Sequence, residues 1–470
     1  MASSRKSPRV TEVVAHLTGQ FERALEAILA RVVVSDSPLS IAIAYSGGLD
    51  SSVLLHLAAQ YCQRRTLRLY AFHVHHGLSP FADDWLRHGE QQAAALGVQF
   101  DAARITVEDS AASIEHAARS ARYAALGTLC RKHGAQLLLT AHHQDDQAET
   151  VLLQLFRGAG LRGLGSMVDL QRVSPLMGEG VMLGRPLLAC PRKDLAAYAG
   201  QRQIAHVDDE SNADTRYRRN AIRHQIMPQI ERTYPGFSAT VARSTQHWQS
   251  AQQLLDELAA IDLAAAASGS AVNIKQLSQL SDQRIDNLLR YWLLQQGASY
   301  APSTAQLQQL RSQMLRARAD AHPALTLCGM QLERRAGLLV ALPHTDAVPP
   351  TDPMAVRWRG EREIAVPQWR GSLLFSEAAS GISPQRLQAN TLTLQPRSGG
   401  ERLKPDPARP SRSLKNLFQE AVLPAQQRPW LPLAYLNGHL VFAAGLGMDT
   451  RFADAPGGVV LGWRGEAGQR

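Results

Sequence analysis

Two short stretches hold most of the side chains able to do chemistry: Ser46-Gly-Gly-Leu-Asp-Ser-Ser52 and His142-His-Gln-Asp-Asp-Gln-Ala-Glu149. In the first, Gly47 and Gly48 remove Cβ atoms where a backbone must turn sharply and lie close to another group. Leu49, Asp50, Ser51 and Ser52 then open a helix, whose free amides and dipole favour an anion. With Ser46 they are candidate ligands for a phosphate chain, although the Gly-Lys-Ser/Thr of the common P-loop does not follow. In the second stretch Asp146 and Glu149 stand i,i+3, and Asp145 and Glu149 i,i+4, so the carboxylates share one helix face. Acids at a helix start serve as dipole partners or caps. Three carboxylates and two histidines exceed that need. They could hold Mg²⁺ near the phosphates, with Asp50 and Asp145 as candidate ligands, or bind the ammonium of a cationic substrate.

Other groups are less specific. His73, His75 and His76 do not all keep the two-residue spacing of one strand face, and no carboxylate or cysteine accompanies them, which argues against a metal. Arg119, Arg122 and Tyr123 lie on neighbouring turns of one helix. Arg122 is the functional candidate there, reaching the α-phosphate or an RNA backbone with its guanidinium fork. Gly158 to Gly165, with Arg157 and Arg162, reads as a mobile cover or an RNA-contacting loop.

These residues need a frame. Ile41 to Tyr45 is a short apolar run, as in a parallel strand covered on both faces. A helix to about Cys62, a strand over 67–74, a helix over 83–96, a strand over 98–105, a helix over 113–133 and a strand over 136–140 follow, after a leading helix over 12–34. Strands alternating with helices imply an α/β fold with a doubly wound parallel sheet, its ligands at the carboxyl ends of the strands. Both reactive stretches fall at such ends.

At 470 residues the chain exceeds one ordinary core. Pro235-Gly236 closes the first domain, 1–235. Residues 236–342 read as a small helical domain, 343–385 as a connector rich in Pro in which Glu363 to Val366 and Gly371 to Phe375 could be strands, and 386–470 as a C-terminal α+β domain with a hairpin at Asn437-Gly438. The excess of 50 Lys plus Arg over 41 Asp plus Glu suits a polyanionic partner. No two of the four cysteines form a C-x-x-C pair, so a zinc ribbon or redox dithiol is not written, and reduced, buried thiols of a cytoplasmic protein are expected. The basic N-terminus has no apolar run behind it, and no stretch is long enough to cross a bilayer, so no membrane partner is expected.

The Ser46–Ser52 loop closely resembles the SGGxDS PP-loop of the ATP pyrophosphatase superfamily. The resemblance narrows through His73–Gly77, Arg119–Tyr123, Ala141–Thr150, Arg157–Met167, Arg185-Pro-Leu-Leu188, Asp208–Asp214 and Arg219-Asn-Ala-Ile-Arg223. In that order these blocks are similar to the tRNA(Ile)-lysidine synthases. The resemblance implies a ligase using ATP and Mg²⁺. O2 of cytidine 34, in the CAU anticodon of tRNA(Ile), is adenylated; the ε-amine of L-lysine then attacks C2 and expels AMP. It also implies that the backbone near Val74 meets the adenine, and that Asp50, Arg122, Asp146 and Glu149 are catalytic. Asp146 and Glu149 would seat the ammonium and take its proton. His142, Arg219, Asn220 and Arg223 are further substrate candidates, as are Arg397, Arg402 and Lys415 in a C-terminal block that resembles the family's tRNA-binding domain more loosely. A homodimer is a candidate assembly. The competing readings are a tRNA thiolase, an amide-forming synthetase, and an inactive tRNA-binding homologue.

Overall fold

A computed structural model describes residues 10–32, 39–65, 67–77, 79–105, 114–173, 177–178, 180–210, 214–318, 323–343, 349–421, 423, 428–453 and 455–465. The chain divides into two compact units, Met1–Leu342 and Pro343–Arg470.

The first unit opens with α1 (Val10–Leu29), β1 (Ser40–Ala44), α2 (Leu49–Arg65), β2 (Arg68–His75), α3 (Ala82–Ala95), β3 (Gln99–Arg104), α4 (Ile114–His133) and β4 (Leu137–Leu139). Each lies within a few residues of its sequence expectation; of the apolar end expected for the leading helix, residues 33 and 34 lie outside the described residues. Then come α5 (Gln144–Phe156), α6 (Leu161–Leu164), β5 (Leu170–Arg172), β6 (Met182–Gly184), α7 (Arg192–Arg202), α8 (Arg218–Ala221), α9 (Met227–Thr233) and α10 (Phe237–Ala266). The six strands form one sheet in the order β3-β2-β1-β4-β6-β5, parallel except for the β5–β6 pair at one edge.

Alternation along the central strands explains why they read as plain apolar runs. Ile41, Ile43, Leu137 and Leu139 face a core shared with α1, α2 and α7. Ala42 and Leu138 face the opposite core, with Phe72, Tyr123 and Leu126. A strand buried on both faces has no polar side to show. Helix α4 lies so close to the chain at Met177 that a Cβ on Gly127 would stand 2.4 Å from the Met177 carbonyl oxygen.

The remainder of this unit departs from a purely helical expectation. Besides α11 (Ile274–Leu277), α12 (Asp282–Gln295) and α13 (Thr304–Leu310), it contains β7 (Ala267–Ser268), β8 (Ala271–Asn273), β9 (Ala324–Leu327), β10 (Met330–Arg335) and β11 (Leu338–Pro343). These make an antiparallel sheet, β7-β8-β11-β10-β9. Its strands are short and packed against the helices through Val272, Leu332 and Leu339, so their pattern is weak in the sequence.

The expected connector at 343–385 is likewise structured. Met354–Val356, Glu363–Val366 and the long strand Gly371–Ile382 belong to the antiparallel sheets of the second unit. Both possible strands at 363–366 and 371–375 are present; the second runs on to Ile382 and pairs with Val459–Gly465, a distant partner that local composition does not reveal. The hairpin at Asn437-Gly438 forms with φ of 52° and 81°, the left-handed geometry of a tight two-residue turn. Among the described residues no helix is long and apolar enough to cross a membrane.

Candidate functional site

Strand β1 delivers the glycine bend to the carboxyl edge of the sheet. Tyr45 N–H bonds to the Phe72 carbonyl at 2.9 Å, holding β1 against β2 up to the turn. Gly47 has φ of 85°, a left-handed conformation natural to glycine, and an added Cβ would stand 3.2 Å from Val207 Cγ2. The bend is held by its own hydroxyls. Ser51 Oγ donates to the Gly48 carbonyl at 2.9 Å, Ser52 Oγ to the Gly47 carbonyl at 3.2 Å, and the Ser46 and Ser51 hydroxyls are 3.1 Å apart. Ser52 N–H closes the first turn of α2 on Gly48 O, so the amides of Leu49, Asp50 and Ser51 lie in the part of a helix whose donors lack intrahelical partners.

A strap from α7 crosses the bend, with Val207 N–H bonded to the Gly47 carbonyl at 3.0 Å. Below it lies a cleft of ≈ 730 Å³, lined by Ser46, Gly48, Leu49, Asp50 and Ser51 on one side. Asp145, Glu149, Arg192, Arg223, His224, Met227 and the strap residues Val207, Asp208, Asp209 and Glu210 complete it. Its walls are therefore predominantly acidic beside a loop suited to an anion, a combination that calls for a cation between them.

His143 organises the acids. Its Nδ1 accepts the Asp146 amide at 3.2 Å while the Asp146 carboxylate accepts the His143 amide at 3.1 Å, a reciprocal cap on α5. The cap uses the Nδ1 lone pair, which assigns the neutral ring's proton to Nε2; that atom is 3.3 Å from Asp146 Oδ2 and 3.6 Å from Asp50 Oδ2. Burial opposes protonation of this ring, but its bond toward Asp50 and the charges of Asp146, Asp50 and Asp145 outweigh it and raise the pKa. Asp145 accepts the Arg192 amide at the start of α7, 2.8 Å away. Asp50 Oδ1 is buried without a hydrogen-bond partner, 3.7 Å from Arg192 Nε.

Asp146 and Glu149 are not open carboxylates. Arg219 and Arg223, one helical turn apart, hold both. Asp146 Oδ1 accepts Arg219 Nη2 at 2.7 Å and Arg223 Nη2 at 2.9 Å. Glu149 Oε1 accepts Arg223 Nε at 2.6 Å, and Oε2 accepts Arg219 Nε at 3.0 Å and Arg223 Nη2 at 2.8 Å. Burial disfavours ionisation of Asp146, but His143, Arg219, His142 and Arg223 hold its carboxyl down at about 2. The expected open seat for an ammonium is thus occupied by guanidinium groups, because residues seventy positions downstream fold back onto α5. Asn220, between them, donates to the Asp214 carbonyl at 3.0 Å and ties this segment to the strap.

On the other side of Arg219 stand His142, Arg119, Arg122 and Arg185. His142 Nδ1 is 2.8 Å from Thr140 Oγ1. Burial lowers its pKa to about 3; Asp146 opposes the shift, while Arg185, Arg219 and Arg119 reinforce it, so the ring is neutral. Arg122 and Arg119 lie over the Tyr123 ring, 5.9 and 5.3 Å from its centre. Neither Arg122 nor Val74 lines the cleft: the Val74 side chain is in the core, and its backbone pairs with β3. The glycine stretch is anchored rather than free. Gly160 starts the short α6, Arg162 pairs with Asp256 of α10 at 2.6 Å, and Gln249 of α10 holds the Gly165 carbonyl at 2.7 Å.

In the second unit Arg397 faces Glu401 at 3.7 Å, Arg402 donates to the Ser411 carbonyl, and Lys415 is exposed at the start of the helix Leu414–Glu420. Among the described residues no group of three or more His, Cys, Asp or Glu side chains is arranged to hold a metal ion. Several contributors to the cleft escaped prediction as site residues: Arg192, the strap residues Val207, Asp208, Asp209 and Glu210, and His224 and Met227 beside Arg223. The Asp208–Asp214 block was visible as a motif, but its crossing of the glycine bend was not; residues 211–213 lie outside the described ones.

The PP-loop domain family matches residues 17–230, the TilS substrate binding domain 273–340, and the TilS substrate C-terminal domain 392–463. The chain is 43% identical to a tRNA(Ile)-lysidine synthase of Burkholderia pseudomallei over 466 residues, covering 91% of this chain and 92% of that one. It belongs to the tRNA(Ile)-lysidine synthase family. A synthase of that name from Ralstonia nicotianae is 44% identical, with 94% and 96% covered, and one from Nitrosomonas europaea 38%, with 90% and 91% covered. The PP-loop domain carries ATP use with it. The cleft described above lies within that domain of a lysidine-synthase chain.

Proposed function

We propose that this ligase joins L-lysine to C2 of cytidine 34 in the CAU anticodon of tRNA(Ile), through an adenylated tRNA. In the first step O2 of the cytosine attacks the α-phosphorus of ATP and diphosphate leaves. In the second the ε-amine attacks C2, the C2–O2 bond breaks, and AMP departs with that oxygen while the amine gives up a proton.

The cleft that joins the glycine bend to Asp50 and Glu149 is the observation that carries this reading. Ser46, Gly47, Gly48, Leu49, Ser51 and Ser52 hold the phosphates through amides and hydroxyls. Carboxylate oxygens are the donors Mg²⁺ prefers, and Asp50 offers a buried oxygen with no other hydrogen-bond partner. Asp50 and Asp145 would hold the ion, whose charge offsets the phosphates against the acidic walls. Glu149, with Asp146 behind it, receives the lysine ammonium and its proton; Arg122 and neutral His142 flank the adenylated base. Arg397, Arg402 and Lys415 contact tRNA phosphates, and the reaction belongs to the cytoplasm, where ATP, lysine and tRNA meet.

A thiolase is disfavoured by the cysteines. All four are buried, and burial pushes the thiols of Cys62, Cys130 and Cys190 up to about 12, far from a reactive thiolate. The deciding experiment incubates the protein with CAU-anticodon tRNA(Ile), ATP and radiolabelled lysine. Label entering the tRNA, with AMP and diphosphate released in equal amounts, is expected. AMP formed without label in the tRNA would overturn the reading.

A further inference from the structure

Resting on the lysine-ligation reading, the geometry points to Arg223, with Arg219 beside it, as an internal cation that occupies the lysine seat and is drawn off it by nucleotide phosphate. Binding of the two small substrates is then coupled: phosphate on the glycine bend opens Glu149 to the ammonium.

The carboxylates already have cationic partners. Five guanidinium hydrogen bonds of 2.6–3.0 Å end on Asp146 Oδ1 and the two oxygens of Glu149. An incoming ammonium brings three donors and finds both Glu149 oxygens engaged. Glu149 is only 2% exposed, so the competition takes place where charge-assisted bonds are strong and an unpaired charge is costly. Lysine by itself offers the displaced guanidinium groups only its distant carboxylate. A phosphate chain offers a fork-matching acceptor at close range.

Arg223 is placed for that exchange. It lines the cleft together with Ser46, Gly48 and Ser51, and its side chain remains 28% exposed. Arg219 faces the opposite way as well: its charge acts on His142 and Arg122, the group proposed to flank the adenylate. Each arginine thus lies between the carboxylates and a place where anionic phosphorus is bound. The backbone carrying them is locally rewound. Residues Ile222–Ile226 form a π-helical turn, with Met227 N–H bonded to the Ile222 carbonyl. Pro228 has no N–H to give the His224 carbonyl, so an ordinary α-turn cannot continue there. Arg223 sits on this turn.

The test is equilibrium dialysis of radiolabelled L-lysine against the full chain, with and without α,β-methylene ATP and Mg²⁺. Wild type should bind lysine about 10-fold more tightly with the analogue, and linkage requires lysine to tighten the analogue equally. Arg223→Gln should bind lysine with the same Kd in both conditions, within about 2-fold, and more tightly than wild type when the analogue is left out. Arg219→Gln, with its fold checked by circular dichroism, should show a reduced coupling. Lysine affinity in wild type that ignores the analogue, or full coupling surviving in both variants, overturns the exchange while leaving the ligation reading intact. Failure of wild type to bind lysine in either condition overturns both.

Discussion

The glycine bend and the carboxylate–arginine cluster share one cleft but are built in opposite ways. The bend is built mostly locally: hydroxyl hydrogen bonds link Ser46, Gly47, Gly48, Ser51 and Ser52, Val207 N–H joins from the strap, and the amides at the helix start are left for a ligand. The cluster is a long-range object, joining Asp146 and Glu149 to Arg219 and Arg223 across seventy or more residues, and it satisfies itself. Local construction leaves binding capacity unused, whereas self-satisfaction turns it into stability. Loss of a loop residue should therefore cost catalysis alone, and loss of a cluster residue should cost both.

The sharpest contrast comes from Asp50→Ala. Its carboxylate meets His143 and Arg192 only at 3.6 and 3.7 Å, so the fold should be little affected, but AMP formation should fall on the order of 100- to 1000-fold while tRNA binding persists. A variant that still forms AMP at the normal rate would remove Asp50 from the phosphate site. On the cluster side, Glu149→Ala leaves two guanidinium groups facing a buried gap and should lower stability by about 3 kcal/mol in urea unfolding, besides raising the lysine requirement. Unchanged lysine dependence would assign Glu149 a purely structural part.

A pH series separates the two sides of Arg219. An unfolded imidazole binds a proton below about 6.5, whereas folded His142 does so only near 3. Between those values the unfolded chain holds the extra proton, so His142 contributes stability above pH 6.5 that is lost as pH falls toward 3, by about 1 kcal/mol per unit. The urea midpoints of wild type and His142→Gln should converge from pH 6.5 to 4; a constant gap would contradict the half-buried, neutral ring. Asp146 acts lower. Its depressed value contributes stability above about pH 4 that is lost as pH falls toward 2. The smallest effect is expected for Arg162→Ala: its pair with Asp256 is partly exposed and should be worth about 0.5 kcal/mol. A much larger loss would mean that the glycine stretch anchors α10 in a way the ion pair alone does not express.

The legible parts of the chain were those whose causes are close in sequence. The bend could be read because the glycines, the serines and the helix start are neighbours, and β1 through β4 because apolar runs alternate with helical periods. The five-stranded sheet could not, and of the strand Gly371–Ile382 only the part to Phe375 could, since their partners are far along the chain and their burial comes from what packs on them.

The sequence by itself determined that a phosphate-suited bend and an acidic helix face end strands of one parallel sheet. It also wrote the arginines of Arg219–Arg223 without their destination. Only the tertiary structure decided that those arginines would close on Asp146 and Glu149 and that Val207 would cross Gly47. Side-chain type and local spacing set what a group can bond; which partner reaches it first is settled by chain reversal and burial, where an unpaired charge costs more than ordering a distant segment to meet it.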